Sequence, residues 1–408
     1  MSGRDIVIVG GGIIGAAVAF HLACAGEGER VLLCERAAPA GAATSLAAAL
    51  VGEARENLNL LPLVRQTRAD IAMLEADFGE HVGLAEVGAV HVARDHAVAA
   101  LDRLAATMRA QGVAVENLGA SDAQARLPWL DAASCVRRLF FPAEAYVEPY
   151  LLASAYLRAA QRRGVACRTG FELAAVLVEG ARVTGVRSSA GEHIGADVVV
   201  DAAGAWAALL PALLGLALPM APVRSQYWIT AVHSLFPRAA PIAVIPEARA
   251  YARPELGALL FGLREESSVA VDARRLPADL AGFVFDGADP AGWESLSAGA
   301  PALRSFFPAL DEVGIAHHVS GPSTYTVDGH LVLGGFAGLA GLFVASGCNG
   351  AGIACSGGIG RVVGELVRGQ EPFVDPAPHR PDRLGYCDPF APELLARCAA
   401  QRSAKRSG

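Results

Sequence analysis

Three glycines and one acid carry the clearest chemistry in this sequence. Gly10, Gly12 and Gly15 follow the apolar run Ile6, Val7, Ile8, Val9, and Glu35 closes a second run, Val31 to Cys34. The spacing predicts a tight turn at Gly10, a backbone at Gly12 open to a pyrophosphate, and close helix–strand packing at Gly15. Ile13 and Ile14 open the helix, whose first N–H groups and dipole favour an anion. Glu35 stands 20 residues beyond Gly15, the distance at which a carboxylate accepts from a ribose. The unit therefore reads as a dinucleotide-binding βαβ fold. A signal peptide is the competing reading. The glycines, Asp5, His21, the lack of a small-residue cleavage site and the strand that follows argue against it.

The elements that hold these residues are spread along 408 residues, enough for one large or two intertwined domains. Periodicity predicts helices over 60–78, 97–111, 151–163, 293–304 and near 357–368. Strands are predicted over 86–93, 165–168, 173–178, 182–188, 222–232, 241–245 and 258–264. Residues 41–45 read as a loop, and 194–206 as a buried strand entering a glycine turn at Gly204. Gly334 to Gly364 holds eleven glycines in 31 residues, beside the apolar runs Leu331–Leu333 and Leu342–Ala345. Bare backbone of that kind can approach a ligand ring. The tail from 388 onward is expected to be disordered.

Composition removes other classes. A net charge of −7 leaves no electrostatic footprint for nucleic acid. Eight cysteines show no CxxC pair, so neither a metal site nor a disulfide framework is expected, and free thiols suit the cytoplasm. No uninterrupted apolar run reaches the roughly 20 residues of a membrane span. Lysine occurs once, at Lys405, so none is expected in the folded body.

Four segments together resemble the D-amino-acid-oxidase-like flavoproteins, the family of glycine and sarcosine oxidases and of sarcosine and dimethylglycine dehydrogenases. They are the glycine fingerprint with Glu35 and Arg36, residues 143–149 before a helix, residues 198–206, and the stretch from Gly321–Gly329 to Gly347–Ile353. The likeness covers about residues 4–375 and is nearest the oxidase module of the sarcosine/dimethylglycine dehydrogenases. It implies an α/β (α+β overall) architecture. A Rossmann-like FAD-binding domain, built from 1–85, 145–220 and 321–375, would interleave with an antiparallel-sheet substrate domain from 86–144 and 221–320. Residues 376–408 would form a tail.

By the same resemblance, Gly10, Gly12, Ile13, Ile14 and Gly15 would serve the FAD pyrophosphate, and Glu35 with Arg36 the adenosine end. Thr44 and Ser45 would lie near the phosphates or the flavin edge. Val176 would meet the adenine through its backbone, and Ala203 and Gly204 would line the cofactor. Gly347, Cys348, Asn349, Gly350 and Gly352 would approach the isoalloxazine, with no chemistry assigned to the thiol. Some relatives attach FAD through a cysteine near the position of Gly321, or through a histidine where Leu46, Ala47 and Ala48 stand. Non-covalent FAD is therefore expected. Longer members carry a folate-binding region that this sequence lacks, so folate coupling is not expected.

The resemblance implies hydride transfer from a C–H beside nitrogen to flavin N5, followed by imine hydrolysis, on a secondary or N-methylated amine. Monomeric sarcosine oxidases place one lysine over the flavin and another on the substrate carboxylate. Ser323 stands where glycine and D-amino-acid oxidases keep a carboxylate-binding arginine. Tyr227, Tyr251, Tyr325, Arg253 and Arg264 are the replacements on offer, with Tyr251 and Arg253 sharing a strand face. His317 and His318 could hold a proton-transfer group. The electron acceptor is oxygen or a carrier, and the missing lysine favours a carrier. A flavin 2-hydroxy-acid dehydrogenase and a subunit of a hetero-oligomeric amine dehydrogenase remain alternatives, and the oligomeric state is open.

Overall fold

The strand Ile6–Val9 sends its side chains alternately into two cores. Ile6 and Ile8 join the helix side, whereas Val7 and Val9 join the opposite face. Such a strand must be central, and it pairs in parallel with both Val31–Cys34 and Val198–Asp201. The computed structural model describes residues 5–285, 287 and 289–405. Its first sheet runs in the order His193–Gly195, Arg182–Ser188, Leu339–Ser346, Val198–Asp201, Ile6–Val9, Val31–Cys34, Ala166–Arg168. Val332–Phe336 and Leu173–Glu179 pair onto it in antiparallel fashion.

The helix Ile13–Cys24 is apolar almost all round and almost wholly buried. Pro149–Arg162 and Ser356–Val367 cover it. Its contact with the second of these is close: a Cβ on Gly360 would sit 2.6 Å from the Ala17 carbonyl carbon. Likewise a Cβ on Gly358 would sit 2.3 Å from Leu63 Cα in the helix Leu61–Phe78. Part of the glycine-rich segment therefore serves helix crossing, not ligand approach.

The second sheet has eight strands. Its order is Ile315–Thr326, Met220–Thr230, Ala258–Leu263, Ala250–Glu255, Ile242–Ile245, Ala89–Ala93, Arg137–Phe141, Glu116–Asn117. All neighbours are antiparallel except Ile242–Ile245 on Ala89–Ala93. The pairing of Met220–Thr230 with Ile315–Thr326 is the longest, from Met220 opposite Thr326 to Thr230 opposite Ile315.

Three expectations need correction. Residues 42–45 form a short helix, Ala42–Ser45, instead of a loop. Ile315–Thr326 is one continuous strand, so it runs through the boundary expected at 320/321. The tail is ordered as far as Lys405: the helix Pro392–Ala404 buries Leu394, Cys398 and Arg402, spaced by four, against Met220–Thr230 and Ile315–Thr326. Residues 406–408 of that tail lie outside the described residues.

Candidate active site

The turn after the first strand is shaped by two glycines. Gly10 has φ +101°, in the region that favours glycine, and a Cβ on Gly15 would lie 1.9 Å from the Gly10 carbonyl oxygen. Glu35 reaches back to this turn, where Oε2 accepts from Gly11 N at 2.7 Å and Oε1 from Ala37 N at 2.9 Å. A carboxylate offers about four acceptor sites, so it keeps two for hydroxyls. At the start of the helix, Thr44 Oγ1 accepts from Ile13 N at 3.1 Å. Ser45 instead donates to the Ala40 carbonyl and fastens the short helix to the turn.

From Gly12, Ile13 and Ile14 a cavity of about 290 Å³ runs past Thr44 and Gly204 to the Cys348–Ala354 turn, then onto the face of the second sheet. Asn349 sets that turn: Oδ1 accepts from Thr326 N at 2.9 Å, and Nδ2 donates to the carbonyls of His330 and Gly347. Gly350 has φ +74°, and a Cβ there would meet Tyr325 Oη at 2.6 Å. Burial pushes the Cys348 thiol up to about 12, so it stays neutral. These bare backbones along one continuous groove fit an extended dinucleotide.

Other named positions sit beside the groove. Arg36 stacks over Trp206 at 3.9 Å from the ring centre. Ala203 N donates to Asp201 Oδ1 at 3.0 Å, and Ser346 Oγ to the Gly204 carbonyl at 3.1 Å. Gly347 has φ +64°, tight against Val332. Val176 is buried opposite Val186 in an antiparallel pair and does not line the cavity.

At the far end Tyr227, Tyr251, Tyr325 and Arg264 line the cavity. Burial raises Tyr227 to about 12 and lifts Tyr251 as well, so both hydroxyls remain protonated donors. Arg253 has a different job. Its Nε donates to the Ala48 carbonyl at 2.9 Å, its Nη1 holds Glu255 at 2.5 Å, and its guanidinium lies over Tyr146. Two residues beyond Tyr251 on the same strand, it clasps the 46–49 loop and does not face the cavity. His317 is exposed, and His318 lies against Trp228 with Nε2 3.0 Å from Gln226 Oε1.

The sequence profile of the FAD dependent oxidoreductase family (DAO) matches residues 5–366. The chain belongs to this family. The chain is 29% identical over 379 residues to the 4-methylaminobutanoate oxidase (formaldehyde-forming) of Paenarthrobacter nicotinovorans, covering 90% of this chain and 44% of that one. It is 27% identical over 392 residues to human mitochondrial dimethylglycine dehydrogenase, covering 93% and 44%. It thus spans less than half the length of these curated relatives. Among solved structures, glycine oxidase from Geobacillus kaustophilus superposes with a TM-score of 0.75 at 28% identity, covering 93% of this chain and 98% of that one. FAD is the cofactor of this family, and the glycine turn, Glu35 and the Cys348–Ala354 turn are the residues that would hold it.

The cavity also holds residues that sequence reasoning missed: Arg55, His91, Glu144, Arg402 and Lys405. His91 is buried, its Nε2 has no partner among the described residues, and burial pushes it down to about 3, so it is neutral. Glu144 accepts from Glu53 N and Ala54 N, and burial raises its pKa. The expectation that no lysine reaches the folded body is overturned, because Lys405 Nζ donates to the Asn349 carbonyl at 2.9 Å. The spacing of Leu394, Cys398 and Arg402 after Pro392 was the available signal for a packed helix. With a lysine on the cavity wall, lysine content no longer favours a carrier over oxygen. No helix among the described residues is long and apolar enough to cross a membrane.

Proposed function

We propose that this oxidoreductase oxidises the C–N bond of a secondary or N-methylated amino acid. One observation carries the reading: a single cavity joins the glycine turn of the first sheet to the tyrosine and arginine face of the second. The activities of the relatives, on 4-methylaminobutanoate and dimethylglycine, support an N-methyl amine. FAD, when bound, would supply the hydride-accepting chemistry for the carbon beside nitrogen, and water would hydrolyse the resulting imine. The chain contributes orientation and a dry wall. Tyr227 and Tyr251 offer protonated hydroxyls and π-faces to an amine, and Arg264 offers a charge for a carboxylate. Ile13, Ile14, Ala47 and Ala48 exclude water along the groove. The two sheets correspond to a cofactor unit and a substrate unit in this reading.

FAD is held without a covalent bond, because alanines form the 47–49 wall and the Cys348 thiol is neutral. All eight cysteines are free thiols, which supports a reducing cytoplasm. Oxygen and an electron carrier both remain acceptors.

The test is anaerobic bleaching of the flavin band near about 450 nm, using sarcosine, dimethylglycine, 4-methylaminobutanoate, proline, D-amino acids and 2-hydroxy acids. Bleaching by N-methyl amino acids is expected, and readmitted air separates oxidase from dehydrogenase. Bleaching by 2-hydroxy acids alone would overturn the proposal in favour of a carbinol dehydrogenase.

A further inference from the structure

The helix Pro392–Ala404 is fastened at its end. Arg402 Nη1 donates to Glu265 Oε2 at 3.1 Å and to Ser268 Oγ at 3.0 Å, and Ser403 Oγ accepts from Ser268 N at 3.0 Å. The chain then turns into the cavity. Arg264 Nη1 donates to the Lys405 carbonyl at 3.0 Å, and Lys405 Nζ crosses to the Asn349 carbonyl. Lys405 Nζ and Tyr325 Oη converge on one point: a Cβ on Gly350 would lie 3.4 Å from the first and 2.6 Å from the second.

The charge here is unbalanced. Glu265 is consumed by Arg224 and Arg402. Neither Lys405 nor Arg264 forms an ion pair with a carboxylate among the described residues. Two cations facing a cavity with no carboxylate at ion-pair distance among the described residues are costly unless a ligand supplies one.

We propose that Lys405 and Arg264 form the anion-binding end of the cavity, so that the C-terminal helix carries a specificity-determining side chain for carboxylate-bearing substrates. This deepens the amino-acid reading given above and rests on it for the identity of the substrate. It also gives the site a pH response. Burial among Arg264, Arg55 and Arg402 brings Lys405 down to about 7, so it is cationic below that pH and neutral above it. Facing it are also Cys355 and Tyr251, both pushed up by burial, the hydroxyl of Tyr325, and Glu56 near Arg264. Glu144, raised by burial, stands across from Arg55.

The test uses the oxidised holoenzyme and a small acid, reading perturbation of the flavin spectrum by propionate, with propionamide as the neutral isostere, from pH 6 to 9. Wild type should bind propionate and not propionamide, with Kd rising toward tenfold per pH unit above neutrality. Lys405→Gln should weaken propionate by about tenfold or more at pH 6.5 and lose the pH dependence. Lys405→Arg should keep binding and hold it flat to pH 9. FAD content and far-UV circular dichroism matched to wild type establish that both variants are folded. If Lys405→Gln binds propionate as wild type does, with the same pH slope, Lys405 only anchors the helix and the proposal fails. It fails equally if wild type does not distinguish propionate from propionamide. A wild type that binds propionate yet is bleached by no amine would sustain the anion site and overturn only the amine-oxidation reading.

Discussion

Arg253 and Arg264 differ in what occupies them, and of the two the recognition proposed above belongs to Arg264 alone. Arg253 is buried and held by the Ala48 and Pro254 carbonyls and Glu255 through Nε and Nη1. Arg253→Met should lower stability by about 2–4 kcal/mol, because it orphans those partners. Thermal melts and FAD retention would record this, with the loop behind the cavity loosened. Arg264→Met should do the reverse, leaving FAD content intact while raising KM for a carboxylate substrate by roughly 10- to 100-fold, the worth of one charged hydrogen bond. The sequence shows both arginines near the ends of short strands. It does not show that Glu255, two residues on, would occupy one of them, nor that the other would meet only a backbone carbonyl. Glu35 is different, because its job is local: its distance from the glycine turn is fixed by one helix and two strands, so spacing alone reveals it.

Among the elements, Ser356–Val367 is the most constrained. Its glycines let it cross Ile13–Cys24 and Leu61–Phe78 at near backbone contact. Gly358→Ala should cost about 1–3 kcal/mol as the helices are forced apart. Denaturant titration of the apoprotein should show it, and FAD should bind more weakly because the Cys348–Ala354 turn leads directly into this helix. Glycine content cannot by itself separate ligand approach from helix crossing, since both need an absent Cβ. Apolar periodicity does better. The helices Leu61–Phe78, Val98–Ala110, Pro149–Arg162 and Trp293–Arg304 follow the expected spans closely, because each buries a defined stripe. Ile315–Thr326 escaped because it is an edge strand with exposed or half-buried positions at His317, His318 and Ser320.

Over the whole molecule, buried titratable groups set the response to acid. His91 is pushed down to about 3 and His379 to about 4, both by burial. In the folded state they stay neutral, while in the unfolded chain they take up protons below about pH 6.5. The unfolded state then binds more protons, so stability falls as pH drops from about 6.5 toward those values. Each contributes about 1.4 kcal/mol per pH unit in that window. Asp201, raised by burial to about 7, takes up a proton in the folded state over the same range and offsets about one histidine. Urea unfolding at pH 7 and pH 5 should therefore show a partial loss, and His91→Gln should lower the slope by about one proton. The parallel core of the first sheet was readable because doubly buried strands are written as continuous apolar runs. The pairing of Met220–Thr230 with Ile315–Thr326 was not, because nothing local encodes a partner so distant in the chain.

The route of the chain between its two sheets has a consequence for synthesis. Segments of the first sheet and its helices come from both ends of the polypeptide, and Ser356–Val367, which covers Ile13–Cys24, follows roughly 340 residues later. At translation rates of about 5–20 residues per second, that apolar helix waits on the order of 20–70 s on the ribosome without its lid. A nascent chain in that condition is a client for chaperones, and flavin can be captured only once the Cys348–Ala354 turn and Ser356–Val367 have emerged. Yield of active protein should therefore respond to chaperone supply and slower, cooler expression more than to codon choice near the start.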